Sequence, residues 1–136
     1  MTLLKTHDNI VNMETYTVKI DEYKTINWYQ NDKRHRVDGP AVESASGEKN
    51  WYSNGKRHRT DGPAVEYADG TKFWYSNGEC HRIDGPAIEF PHGGKRWLLN
   101  GKDLTEEEFN KQTKVANCAG KVVMIDGKKY ALVEVA

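Results

Sequence analysis

A tryptophan every twenty-three residues governs what this chain can build: Trp28, Trp51, Trp74 and Trp97. The letters between them recur too. Asn31, Asn54, Asn77 and Asn100 follow three places after each tryptophan, and then come Asp32, Gly55, Gly78 and Gly101. His35-Arg36, His58-Arg59 and His81-Arg82 are next. Asp-Gly-Pro-Ala follows at 38–41, 61–64 and 84–87, then Glu43, Glu66 and Glu89. Gly47, Gly70 and Gly93 mark the ends of the units. Repetition at a fixed period of this length marks an array of supersecondary units, each stabilised mainly by its neighbours. Full units span 28–50, 51–73 and 74–96; a fourth opens at Trp97 and departs after Gly101.

Each unit reads as strands. In PAVEYADGTKFWY the Asp69-Gly70 pair stands between β-formers, which predicts a two-residue hairpin turn there. That turn places Val65 opposite Trp74, Ala64 opposite Tyr75 and Glu66 opposite Phe73. By the same register Val42 faces Trp51 and Ile88 faces Trp97, with Ala41 against Tyr52 and Ala87 against Leu98 on the other face. The second connection, NGKRHRTDGP, is predicted to be a long loop in which glycine supplies positive φ and proline keeps its neighbour extended. The expected fold is mainly all-β: an elongated antiparallel meander of 23-residue β-hairpin repeats, with one short C-terminal helix and a terminal hairpin.

Composition narrows the function classes. Aromatic residues make up 10% of the 136, which argues for an ordered structure. Twenty basic residues balance twenty acidic ones, so no net field draws the chain to nucleic acid or an anionic membrane, and sequence-specific nucleic-acid binding is not expected. No signal peptide or membrane-spanning run is visible. Cys80 and Cys118 lack metal-site spacing. A reduced, cytoplasmic location is expected.

The pattern W-Y-x-N-G-x-x-H-x-x-x-G, with a D-G turn and a following aromatic, resembles the MORN repeat and its variants over residues 28–101. That resemblance implies hairpin units joined into a twisted single sheet. The H-R-x-D-G-P-A version is similar to repeats of bacteriophage and large-DNA-virus proteins, which implies a phage accessory protein acting in the host cytoplasm. Arg36, Arg59 and Arg82 stand where the common pattern has glycine, and the family's proposed lipid-tethering role is not carried over.

Three segments are expected: an N-terminal arm and capping hairpin over 1–27, the repeats over 28–101, and a helix plus hairpin over 102–136. Residues 1–13 show no period. Tyr16–Ile20, the acidic Asp21-Glu22 pair and the residues from Tyr23 read as a hairpin protecting the first sheet edge. Thr105 and Glu108 form a capping-box pattern opening a helix, and Asp126-Gly127 marks a last hairpin turn.

The His-Arg-x-Asp cluster is the one candidate for chemistry. Equivalent histidines lie two strand spacings apart, about 9.5 Å, far beyond a shared zinc ion at about 2.0–2.1 Å per bond. Three equal copies also do not resemble a singular active site. The chain is therefore read as non-enzymatic, with no cofactor, metal or catalytic residue. Trp28, Trp51, Trp74, Trp97, His35, His58, His81, Asp38, Asp61 and Asp84 are expected to build the frame, the arginines bracing the loops. Binding is assigned to Lys33, Arg34, Arg36, Lys56, Arg57, Arg59 and Arg82 with Tyr29, Tyr52 and Tyr75. Gln30, Lys33, Val37, Lys56, Thr60, Glu79, Cys80 and Ile83 vary between units, as a recognition surface would. The expected partner is a host protein, bound and inhibited, such as a defence factor. The alternative is a nucleotide or another anionic small molecule held by arginine and aromatic faces. Exposed sheet edges leave room for a homodimer.

Overall fold

Consecutive frame strands run up and down one antiparallel sheet: Thr2–Leu3, Tyr16–Ile20, Ile26–Gln30, Val42–Glu43, Lys49–Asn50, Val65–Glu66, Lys72–Phe73, Ile88–Glu89, Lys95–Leu99 and Lys102–Leu104. The computed structural model describes residues 2–3, 15–118, 122–125 and 128–131, with side chains over 15–113. The fold is mainly β, with one helix, Glu106–Cys118, among the described residues. The first repeat has no sharp border with what precedes it, because Trp28 lies inside strand Ile26–Gln30, which pairs with Tyr16–Ile20.

The hairpin turns differ from the predicted ones. Val65 lies opposite Phe73, not Trp74, and Glu66 opposite Lys72, not Phe73. Likewise Val42 meets Asn50 and Ile88 meets Arg96. The cause is backbone conformation. A two-residue type I′ turn needs positive φ at both central residues, and at Asp69-Gly70 only Gly70 has it (φ 91°). Tyr67 N–H donates to Thr71 C=O and Gly70 N–H to Tyr67 C=O. The loop therefore holds three residues, 68–70, with a left-handed glycine at its end, and the register moves by one.

The true two-residue turns are Asn54-Gly55, Asn77-Gly78 and Asn100-Gly101, with φ of 50° and 83°, 52° and 92°, and 49° and 75°. What was predicted as one long loop is thus a second hairpin. Tyr52–Ser53 pairs with Lys56–Arg57, and Tyr75–Ser76 with Glu79–Cys80. In the first unit Tyr29 and Gln30 pair with Arg34 and Lys33 around Asn31-Asp32. These side hairpins form a second row beside the frame. Gly55 N–H donates to Arg34 C=O and Arg36 N–H to Tyr52 C=O, and the pattern repeats one unit on at Gly78 and Arg59.

The register sorts the frame into two kinds of row. One reads Asn27, Val42, Asn50, Val65, Phe73, Ile88, Arg96. A side-hairpin residue packs on it: Cys80, with Phe73 of the row itself, lies against the buried cluster of Ala87, Ile88 and Leu98. The neighbouring row alternates in charge, Glu43, Lys49, Glu66, Lys72, Glu89, Lys95, each opposite the next. Opposed charges of this kind add roughly 0.2–1 kcal/mol per pair.

The ends are closed differently. At the N-terminal side Tyr16 meets Trp28 edge-on and stacks on His35, and Asp21 Oδ1 accepts from Tyr23 and Thr25 N–H to shape the turn. At the other side Thr105 and Glu108 form the predicted capping box, each side chain accepting from the other's N–H. The helix then sets Phe109 against Trp97 at 4.8 Å. Val122–Ile125 pairs with Lys128–Ala131 in a last hairpin. Its Asp126-Gly127 connection, and nearly all of the arm over 1–13, lie outside the described residues.

Candidate functional site

The three His-Arg pairs are built alike. Arg36 Nε donates to Asp38 at 2.9 Å, and its Nη1 to Pro40 C=O at 3.2 Å and Glu43 at 2.8 Å. Arg59 does the same with Asp61, Pro63 and Glu66, and Arg82 with Asp84, Pro86 and Glu89. Each guanidinium also lies over its unit's tryptophan, Trp28, Trp51 or Trp74, at 4.0–4.1 Å. The hydrogen bond from Arg59 holds the Asp61 carboxyl below its ordinary range, and Arg82 does so for Asp84. The glycine of Asp-Gly-Pro is there for space and not for positive φ. A Cβ on Gly62 or Gly85 would come within 3.0 or 2.9 Å of the arginine's Cζ. Arg36, Arg59 and Arg82, assigned to binding from sequence, are thus engaged within their own units.

The histidines join units. Nδ1 of His35, His58 and His81 accepts the N–H of Asn54, Asn77 and Asn100 at 3.0, 3.1 and 2.9 Å. A ring nitrogen that accepts carries no proton, so each imidazole takes part with Nδ1 bare. The bond ties the end of one side hairpin to the turn of the next.

The remaining candidates come together on the side hairpins. Arg34 Cζ lies 5.6 Å from the Tyr52 ring; Arg57 Cζ lies 5.9 Å from Tyr52 and 5.5 Å from Tyr75. Lys19, which sequence reasoning missed, places its Nζ 5.0 Å over Tyr29. Lys and Arg over tyrosine faces are attracted by the ring quadrupole, worth about 0.5–1 kcal/mol at an exposed site. Lys33 and Lys56 run their stems past Gly55 and Gly78 of the following unit and end exposed. Among the described residues no carboxylate lies within ion-pair distance of Lys33, Arg34, Lys56 or Arg57.

A seven-residue relation explains what lies beneath this stripe. Arg34 Nε donates to Asn27 Oδ1 at 3.3 Å. One unit on, Arg57 Nε and Asn50 Oδ1 are both buried without a hydrogen-bond partner. At the next two steps of the repeat the same positions hold Phe73 and Cys80, then Arg96 and Asp103, an ion pair. Cys80 is half-buried, and its thiol is pushed up to about 11 by burial, so it is protonated and unreactive. It belongs to the interior, not to the recognition surface where its variability placed it. Val37 and Ile83 are exposed at 69% and 56%.

Compared with known proteins, the chain matches no family model, no curated protein and no solved structure. Among the described residues no helix is long and apolar enough to cross a membrane.

Proposed function

We propose that the chain is a non-enzymatic protein-binding module that grips an acidic surface through its first two side hairpins. One observation carries this reading. Lys33, Arg34, Lys56 and Arg57 have no carboxylate partner among the described residues, whereas Arg36, Arg59 and Arg82 are bonded within their units. Cations left uncompensated on a neutral protein create a local field that steers and orients a negatively charged partner. The resemblance to phage and viral repeats supports a host protein, bound and inhibited, as that partner. The test is capture from bacterial lysate on immobilised wild type and on Lys33→Glu/Lys56→Glu. A protein held by the wild type and released by the variant or by high salt supports the reading. Retention indifferent to both removes it. A thermal shift with nucleotides that the variant lacks favours the small-molecule alternative instead.

A further inference from the structure

Resting on that reading, we infer that Arg57, held between the Tyr52 and Tyr75 rings, forms a slot for a single oxyanion, a carboxylate or phosphate group. The argument comes from comparing equivalent positions in the repeat. Asn50 and Arg57 occupy the places that Phe73 and Cys80 fill one unit later, so the frame accepts an apolar pair there. Asn50 Oδ1 and Arg57 Nε do not make the bond that Asn27 and Arg34 make, and leaving a buried polar group and a guanidinium charge uncompensated is costly.

The geometry also suits an anion. Tyr52 and Tyr75 flank the Arg57 guanidinium at 5.9 and 5.5 Å, which limits its swing. Its Nε is sealed off, while its Nη atoms are not among the buried orphans, so the terminal edge of the fork faces solvent. Arg34 Cζ lies 5.6 Å from the same Tyr52 ring and adds positive charge beside the slot. A guanidinium held in this way meets a planar or tetrahedral oxyanion with two parallel N–H donors, which a lysine ammonium cannot do. Cys80 ends the slot, because the third unit offers a protonated thiol where the first two offer guanidinium.

The test titrates the full chain with inorganic phosphate and, separately, with a hexaglutamate peptide, following the arginine Nε–H resonances. Wild type is expected to shift the Arg57 signal saturably. Tighter binding of hexaglutamate identifies a side chain of a partner protein as the source; tighter binding of phosphate identifies a phosphoryl group. Asn50→Phe/Arg57→Cys, which copies the third unit, is expected to melt no lower than wild type and to bind at least about tenfold more weakly. Should that variant not fold, Arg57→Lys decides. It keeps the charge and loses the fork, so about tenfold weaker binding supports the slot and unchanged affinity overturns it. Absence of any shift with either probe, or equal binding by the double variant, also overturns it. If the probes fail while lysate capture still depends on Lys33 and Lys56, the slot is lost and the protein-binding reading stands.

Discussion

The first two repeats and the third share a backbone and differ in what lies between frame and side hairpin. In the first two the facing pairs are Asn27 with Arg34 and Asn50 with Arg57; in the third they are Phe73 with Cys80, beside buried Ala87, Ile88 and Leu98. Val42 in the first unit is half-buried, while Val65 and Ile88 are 2% and 5% exposed. The lesson is that the frame does not depend on the interior pair. Turn geometry, the Arg–Trp brace and the histidine link recur in all three full units, and they leave the interior free to be polar where ligand contact is proposed and apolar where cohesion is needed.

The largest expected effect tests that asymmetry directly. Ile88→Ala should cost about 2–4 kcal/mol, as deletion from a packed core does, and Val42→Ala roughly half of that or less; urea unfolding measures both. Equal losses would mean the units are packed alike. Next comes the exchange of interiors. Phe73→Asn/Cys80→Arg should destabilise by about 2–3 kcal/mol, because it strips apolar cover and brings a charge beside Leu98. The reverse exchange, Asn50→Phe/Arg57→Cys, should leave stability unchanged or raise it by about 1 kcal/mol.

The brace is the shared element, and its loss should be felt similarly in each unit. Arg59→Ala is expected to cost about 1–2 kcal/mol through the lost stacking and charge-assisted bonds, and Arg82→Ala the same within error. Arg59→Lys should recover only part, since an ammonium cannot fill the fork. A clear difference between the two arginines would place the asymmetry in the frame as well.

The smallest effect concerns pH. Asp61 and Asp84 have folded values below the ordinary 3.8 because Arg59 and Arg82 donate to them. A depressed carboxyl stabilises the fold above its unfolded value, and that contribution is lost as pH falls from about 4 through the folded value. Carboxyl carbon titration by NMR should show both midpoints below 3.8. Arg59→Ala should return Asp61 alone to its ordinary range.

Much of the fold was legible, for local reasons. The 23-residue period, the hairpin units and the capping box of Thr105 and Glu108 all rest on short-range patterns, whereas Arg36, Arg59 and Arg82 read both as braces and as binding residues. The turns were harder to place. Asp-Gly and Asn-Gly both signal a two-residue turn, but Asn54, Asn77 and Asn100 take positive φ and Asp69 does not. That one dihedral moved the tryptophans away from Val65 and its equivalents. The seven-residue pairing was present in the letters, as Asn27/Arg34, Asn50/Arg57, Phe73/Cys80 and Arg96/Asp103. It became visible only when the second hairpin was folded back onto the frame.

Sequence alone therefore determined the repeat, its strand character and the groups that close its turns, because these depend on residues a few positions apart. Tertiary structure decided the second row of hairpins and which cations lack a carboxylate partner among the described residues. Those outcomes depend on contacts between units, such as Asn54 N–H on His35 Nδ1 nineteen residues away. They also depend on whether a carboxylate falls within reach. For Arg59, Glu66 does; for Arg57, two residues earlier, none of the described carboxylates does.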